Sequence, residues 1–160
     1  MAKFIEVEPF ALAGRIAGMN ALLVSKGRSG PPNIMTIGWW QLGTLWSKPV
    51  LTVPVREERY TYGLMNEGPE FTVNFPPDSL EDVVMMCGTL SGRDTDKWKK
   101  GPLTPEAAKA VSVPVIAECA VRYECRTIHT AEASPVSNHR LYYGEILRVT
   151  ALAGWVRSKT

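Results

Sequence analysis

A chain of 160 residues can bury a real core, and an apolar fraction of 45% beside a charged fraction of 21% excludes extensive disorder. Eighteen basic and sixteen acidic residues leave a net charge of +2. That balance is too even for a nucleic-acid partner, although a local cluster of Lys and Arg can still hold a compact anion. No run approaches the roughly 20 apolar residues of a membrane helix, and Glu6 and Glu8 stand where a signal peptide needs its apolar segment, so no membrane partner is expected.

The elements follow in chain order. Asn20 to Ser25 is a compact apolar run and reads as a strand, followed by a loop of turn residues, Lys26 to Pro32. Asn33 to Leu45 is β-rich, with Gly38 and Gly43 marking bulges or close backbone approach. Pro49 to Val55 and Glu70 to Phe75 supply two more strands. Between them, Arg56 to Gly68 reads as a helix with Glu57 and Glu58 in its first turn and Gly68 at its exit. Ser79 to Met86 reads as a second short helix. A third is expected to start at Thr104, with Pro105 in its first position and an alanine-rich body behind. From Ala117 to Thr127 small or apolar and charged residues alternate, the pattern of a half-buried antiparallel strand. Leu141 to Thr150 is its expected partner, with Thr130 to His139 as the connecting loop. About seven strands with short helices predict a mainly β, Greek-key antiparallel barrel forming one domain over residues 1–160.

Four segments carry the chemistry: Asn33 to Trp39 (N-I-M-T-I-G-W), Pro54 to Tyr62 (P-V-R-E-E-R-Y-T-Y), Cys87 to Trp98 (C-G-T-L-S-G-R-D-T-D-K-W) and His139 to Glu145 (H-R-L-Y-Y-G-E). With the E-F-T-V-N-F-P strand, their order and spacing resemble the flavin reductase-like, FMN-binding split-barrel family, in particular its flavoredoxin-like branch. The resemblance runs from about Asn20 to about Val149, and the S-G-R-D-T-D-K-W block is its most specific part.

The resemblance implies a split β-barrel, bound FMN, electron transfer through it, and a homodimer with FMN near the interface. The phosphate falls to Arg56, Arg59, Tyr60 and Thr61, where the Pro54–Val55 strand turns into a helix; the bland alternative is a solvated helix start. Asn33, Met35, Thr36, Ile37, Gly38 and Trp39 suit the flavin ring, whose edge main-chain groups can read. Trp39 and Trp40 point to opposite faces, and Trp39 is the one favoured beside the flavin. Ser91, Arg93, Asp94 and Lys97 either contact ribityl and phosphate or form, with Asp96, a salt-bridged turn. Asn74 either reaches the flavin or caps a neighbouring turn.

Cys119 and Cys125 fall on the apolar face of their strand and read as core. With Cys87 they are too scattered for a disulfide framework, which points to a reducing cytoplasm, and neither they nor His129 have the spacing of a metal site. Cys87 is placed near the flavin, with a redox or shielding role to be tested. His139 either helps dock a reduced donor or sits in an exposed loop. No G-x-G-x-x-G follows a strand, so NAD(P)H, as a transient donor, stacks directly on the flavin. The expected partner is a small molecule or a redox protein. Two function classes stay open: an FMN-dependent oxidoreductase or electron carrier, and a non-enzymatic FMN-binding or sensing module.

Overall fold

The computed structural model describes residues 2–157. In order the elements are β1 (Phe4–Glu6), α1 (Ala13–Ile16), β2 (Ala21–Ser25), β3 (Asn33–Ile37), β4 (Gln41–Leu45), β5 (Lys48–Arg56), α2 (Tyr60–Glu67) and β6 (Glu70–Phe75). A 3-10 turn (Asp78–Leu80) then runs into α3 (Glu81–Thr89). The chain continues through α4 (Lys97–Lys100), β7 (Pro105–Glu106), β8 (Val115–Ile116), β9 (Val121–Glu132), β10 (His139–Leu152) and α5 (Ala153–Arg157).

The main sheet is antiparallel throughout, in the order β3-β2-β6-β9-β10-β5-β4, with β1 added to β10. Its two edges, β3 and β4, are consecutive in sequence and joined only by Gly38, Trp39 and Trp40. So short a link cannot separate the edges by more than roughly 14 Å. The sheet therefore curls into a barrel that stays open along one seam, and the link crosses that seam.

Two cores flank β2, and its alternation explains both. Ala21 and Leu23 face the barrel interior with Phe71, Phe75, Tyr123 and Tyr142. Leu22 and Val24 face outward onto Ile34, Cys87, Leu103, Ile116 and Cys119, beneath α3 and the wrapping segment that carries β7 and β8. A strand buried on both faces must be apolar throughout, which is why the sequence shows a run there. Each such Leu or Phe contributes about 1.5–3 kcal/mol by burial. Gly144 serves this packing directly. A Cβ there would lie 2.3 Å from Phe71 Cζ, at a register shift between β9 and β10.

Four expectations are corrected. No helix starts at Thr104: Pro105–Glu106 pair with Val115–Ile116 instead. Carboxylates take the main-chain donors of this segment, Thr104 N–H donating to Glu118 Oε2 at 3.0 Å and Lys109 N–H to Glu124 Oε2 at 3.1 Å. These tertiary bonds, with burial of Val111 and Val113, override the local cap signal. The strand expected from Ala117 starts at Val121, and its first half is buried on both faces, with Arg122 at 2% and Glu124 at 1% exposure. The wrapping segment covers them, and they are paired: Arg122 with Glu106 and Glu124 with Arg148, each at 3.0 Å. Glu57 and Glu58 lie in the turn before α2 and not in its first turn, although Gly68 does close the helix, donating to Leu64 O. The loop expected from Thr130 shrinks to residues 133–138, because β9 and β10 stay paired out to Glu132 and Arg140. Among the described residues no helix is long and apolar enough to cross a membrane.

Candidate functional site

The seam of the barrel opens into a groove made of two adjoining cavities. The wider, about 380 Å³, is lined by Met35, Thr36, Ile37, Gly38 and Trp39 from β3 and the link, by Pro54, Val55 and Arg56 from the end of β5, and by Glu58, Arg59 and His139. The narrower, about 100 Å³, is lined by Asn33, Met35, Glu58, Arg59, Tyr60, Thr61, Lys97 and the loop Thr89, Leu90, Ser91, Gly92 and Arg93. Met35, Glu58 and Arg59 belong to both and join them.

At the narrow end every cation is held. Arg59 precedes α2; its Nη2 donates to Gly88 O at 3.0 Å and its Nε to Met35 Sδ at 3.3 Å. Arg93 Nη1 donates to Glu58 O at 3.3 Å, and its guanidinium lies 5.5 Å from the Tyr60 ring centroid. Lys97 is 3% exposed, and its Nζ donates to Ile34 O and Cys87 O, both at 2.8 Å. Burial pulls this ammonium down to about 8; the neighbouring Arg59 charge pushes the same way and Cys87 opposes it. Buried Asn33 donates from Nδ2 to Thr61 Oγ1 at 3.2 Å, tying β3 to α2. Gly92 is the residue that lets the loop close, since a Cβ there would lie 2.0 Å from Asn33 Oδ1 and 2.7 Å from Tyr60 Cδ1. The salt-bridged turn is not what forms. Asp96 instead caps α4, accepting from Trp98 and Lys99 N–H, which leaves Arg93 and Lys97 on the cavity.

At the wide end the two tryptophans part company. Trp40 turns inward, edge-on to Phe75 at 5.2 Å, and donates to Met19 O at 2.9 Å. Trp39 is 65% exposed and lies 5.4 Å from the His139 ring. Pairing of His139 with Arg56 across β10 and β5 sets that neighbourhood. Arg56 Nε, which can only donate, points at His139 Nε2 at 3.4 Å, so the imidazole proton sits on Nδ1, facing Ser137 Oγ. Burial first, then the Arg56 charge, hold His139 below its ordinary value and favour the neutral ring. Beyond Trp39 a third cavity of about 680 Å³, bounded by Trp39, Trp40, Val136, Ser137, His139 and Leu141 among others, carries no Lys or Arg in its lining.

The structure thus brings together Asn33, Met35, Thr36, Ile37, Gly38, Trp39, Pro54, Arg56, Arg59, Tyr60, Thr61, Ser91, Arg93, Lys97 and His139. Two expected residues stand apart. Asn74 is buried in the barrel wall, donating to Leu22 O and Thr72 Oγ1 and accepting from Ile116 N–H, and does not line the groove. Cys87 contributes its carbonyl to Lys97, but its thiol is fully buried in the outer core and raised to about 11 by that burial, unsuited to redox work or to shielding a flavin. Val55, Glu58, Thr89, Leu90 and Gly92 line the groove, and Ser137 the adjoining cavity, without having been singled out in the sequence. Only Gly92 carried a signal, as the central glycine of S-G-R.

Among the described residues no group of three or more His, Cys, Asp or Glu could hold a metal. A small cation-lined pocket at a helix start opens into a wider cleft walled by main chain and an aromatic, features that suit a phosphorylated planar molecule.

Comparison with known proteins gives this groove its context: the chain belongs to the flavin reductase like domain family, whose model matches residues 13–158. Flavoredoxin of Desulfovibrio vulgaris (Miyazaki F) superposes with a TM-score of 0.76 at 26% identity, over 86% of this chain and 71% of that one. Flavoredoxin from Methanosarcina acetivorans gives 0.72 at 29% identity, over 82% and 67%. An uncharacterized protein of Archaeoglobus fulgidus is 40% identical over 119 residues, 74% of this chain. The chain spans 65% of that relative's length, just under two thirds. The antiparallel barrel with its open seam is the split barrel of this family.

Proposed function

We propose that the chain binds FMN along the groove and passes electrons through it, as a reductase drawing on NAD(P)H or as a carrier between redox partners. One observation carries the reading: a small cavity lined by Arg59, Arg93 and Lys97 opens directly into a wider one walled by Met35 to Trp39. The residues fit the group. A buried ammonium with two main-chain acceptors and a third N–H on the cavity is suited to a phosphate oxygen, and the main chain of β3 is suited to the polar edge of an isoalloxazine. A single pocket of about 100 Å³ matches one phosphate, which favours FMN over FAD.

FMN, when bound, supplies the redox chemistry by accepting a hydride or electrons and passing them on. Arg59, Arg93 and Lys97 anchor and neutralise the phosphate. Trp39 would offer an aromatic face to the ring, and neutral His139 with Ser137 would offer hydrogen bonds at the mouth. The cavity beyond Trp39 gives donor and acceptor their approach. Likeness to two flavoredoxins favours electron transfer over passive sensing. Homodimerisation beside the groove is part of the reading, supported by the exposed Trp39 and Val136 at its mouth. Three unpaired buried cysteines support a reducing, cytoplasmic setting.

The visible spectrum of purified protein tests the core of this. A yellow preparation releasing FMN supports it, and a colourless protein that ignores added FMN overturns it. Steady NAD(P)H oxidation separates the reductase from the carrier, and sedimentation tests the dimer.

A further inference from the structure

We propose that the third cavity, on the far side of Trp39, is the acceptor site and that its substrate is an uncharged planar quinone; the proposal rests on the FMN reading above. This cavity of about 680 Å³ shares Gly38, Trp39, Pro54 and His139 with the wide end of the groove, so its occupant lies beside the place given to the flavin ring. Its chemistry is the reverse of the narrow end. Trp39, Trp40, Pro54, Val136 and Leu141 supply apolar walls, and among the described residues no Lys, Arg, Asp or Glu lines it. Its one titratable group, His139, is held toward the neutral ring by burial and by the Arg56 charge. A phosphate or carboxylate placed here loses water and gains no counter-ion, which works against nucleotides and organic acids. A flat neutral ring loses little water and gains aromatic contact.

The polar groups that remain stand at two separate ends. Gln41 and Thr52 are cross-strand partners on β4 and β5, and both line the cavity. At the other end His139 pairs with Arg56, four residues further along β5 than Thr52, and its Nδ1 meets Ser137 Oγ. Pro54 and Leu141, also paired, form the apolar floor between the two ends. Four residues of strand set those ends about 13 Å apart. A para-quinone carries carbonyl oxygens on opposite sides of one flat ring system, and with a hydrogen bond at each it spans a comparable length. Ser137 supplies the donor at one end. Arg56 Nε faces His139 Nε2, so the Nδ1 proton goes to Ser137 Oγ, and the Ser137 hydroxyl hydrogen has no acceptor among the described residues. The Gln41 amide and the Thr52 hydroxyl supply donors at the other. Reduction of the quinone takes a hydride from the reduced flavin and one proton from solvent, and leaves a hydroquinone and oxidised flavin.

The test titrates the purified, flavin-loaded protein in its oxidised state, without any donor, and follows the heat of binding. The probes are menadione, a neutral naphthoquinone, and a naphthoquinone sulfonate with the same ring system. Menadione should bind at one equivalent per chain, and the sulfonate roughly tenfold more weakly. Gln41→Leu and Ser137→Ala, both at positions open to solvent, should each weaken menadione roughly fivefold while the protein keeps its FMN, as the loss of one neutral hydrogen bond does. Leu141→Lys should reverse the order of the two probes. Three results overturn the proposal and leave the FMN reading intact: equal affinity for both probes, no saturable binding of menadione to a yellow protein, or full menadione affinity in both Q41L and S137A. Menadione that binds only after a dimer is diluted to monomers makes a second copy the occupant, and overturns the proposal as well. A protein that takes up no FMN overturns both.

Discussion

Around the narrow end of the groove Arg59, Arg93 and Lys97 are each tied to a main-chain carbonyl, whereas at the wide mouth Trp39 stands 65% exposed and Val136 92% exposed. The cations of the first region are positioned by main-chain acceptors before any ligand arrives, which lowers the side-chain ordering left to be done when a phosphate enters. The second holds few bonds beyond those of His139 with Ser137 and Arg56. Anchoring and exchange thus sit in separate places. A cofactor can be held at one end while transient donors and acceptors come and go at the other.

Substitutions at each end should separate the two tasks. The largest effect is expected from Arg59→Ala, which removes a charge shared by both cavities and frees Gly88 O. FMN affinity should drop about 100-fold, as losing a hydrogen bond between charged groups costs about 1.5–3 kcal/mol, and a fluorescence titration reads it. Gly92→Ala comes next. Its methyl collides with Asn33 and Tyr60, so the loop must retreat, with about tenfold weaker FMN binding and a lower melting temperature. Trp39→Ala should weaken FMN by only a few-fold, in line with about 0.5–1.5 kcal/mol for a partial aromatic contact, yet alter the visible spectrum and the rate of reoxidation. If R59A and W39A proved equally damaging to binding, the division between anchor and mouth would be wrong.

Smaller effects concern the protein without flavin. Cys87→Ala should leave flavin reduction unchanged and cost about 1 kcal/mol of stability, the price of a small cavity in the outer core. The pH dependence of stability has a worked sign. Lys97 is lowered on folding, so the unfolded chain holds its proton to higher pH, and stability rises as pH climbs through about 8. Cys87 is raised to about 11, so its contribution is full below 9 and is lost between 9 and 11. Denaturant melts should therefore show stability increasing from pH 8 to 9; above 9 the Cys87 loss offsets the continuing Lys97 gain, and buried Cys119 and Cys125, both held well above their ordinary range, turn the balance downward, with the rise below 9 absent in K97M.

How far the sequence could be read follows from how local each feature is. Met35 to Trp39 is one contiguous stretch of β3 and its link, and Arg56 to Thr61 is one strand-to-helix turn, so both were legible as blocks. The opposite orientations of Trp39 and Trp40 follow from simple alternation. The helix expected at Thr104 shows the limit: Thr-Pro followed by alanines is a sound local signal, but Glu118 and Glu124, distant in sequence, capture the N–H groups it needs. Arg122 and Glu124 read as solvent-facing because nothing local announces the segment that covers them. Asn74 and Cys87 follow the same rule, each turned into a core whose other wall comes from residues distant in sequence. Ser137 joins the site through its contact with His139, two residues on in the loop that ends at β10.

The central claim is that this groove holds one FMN per chain. Stripped protein titrated into FMN should quench its fluorescence to saturation at one equivalent per chain, with the quench weakened by R59A. A wild-type protein giving no saturable quench, or one that R59A and K97M leave untouched, would contradict the account.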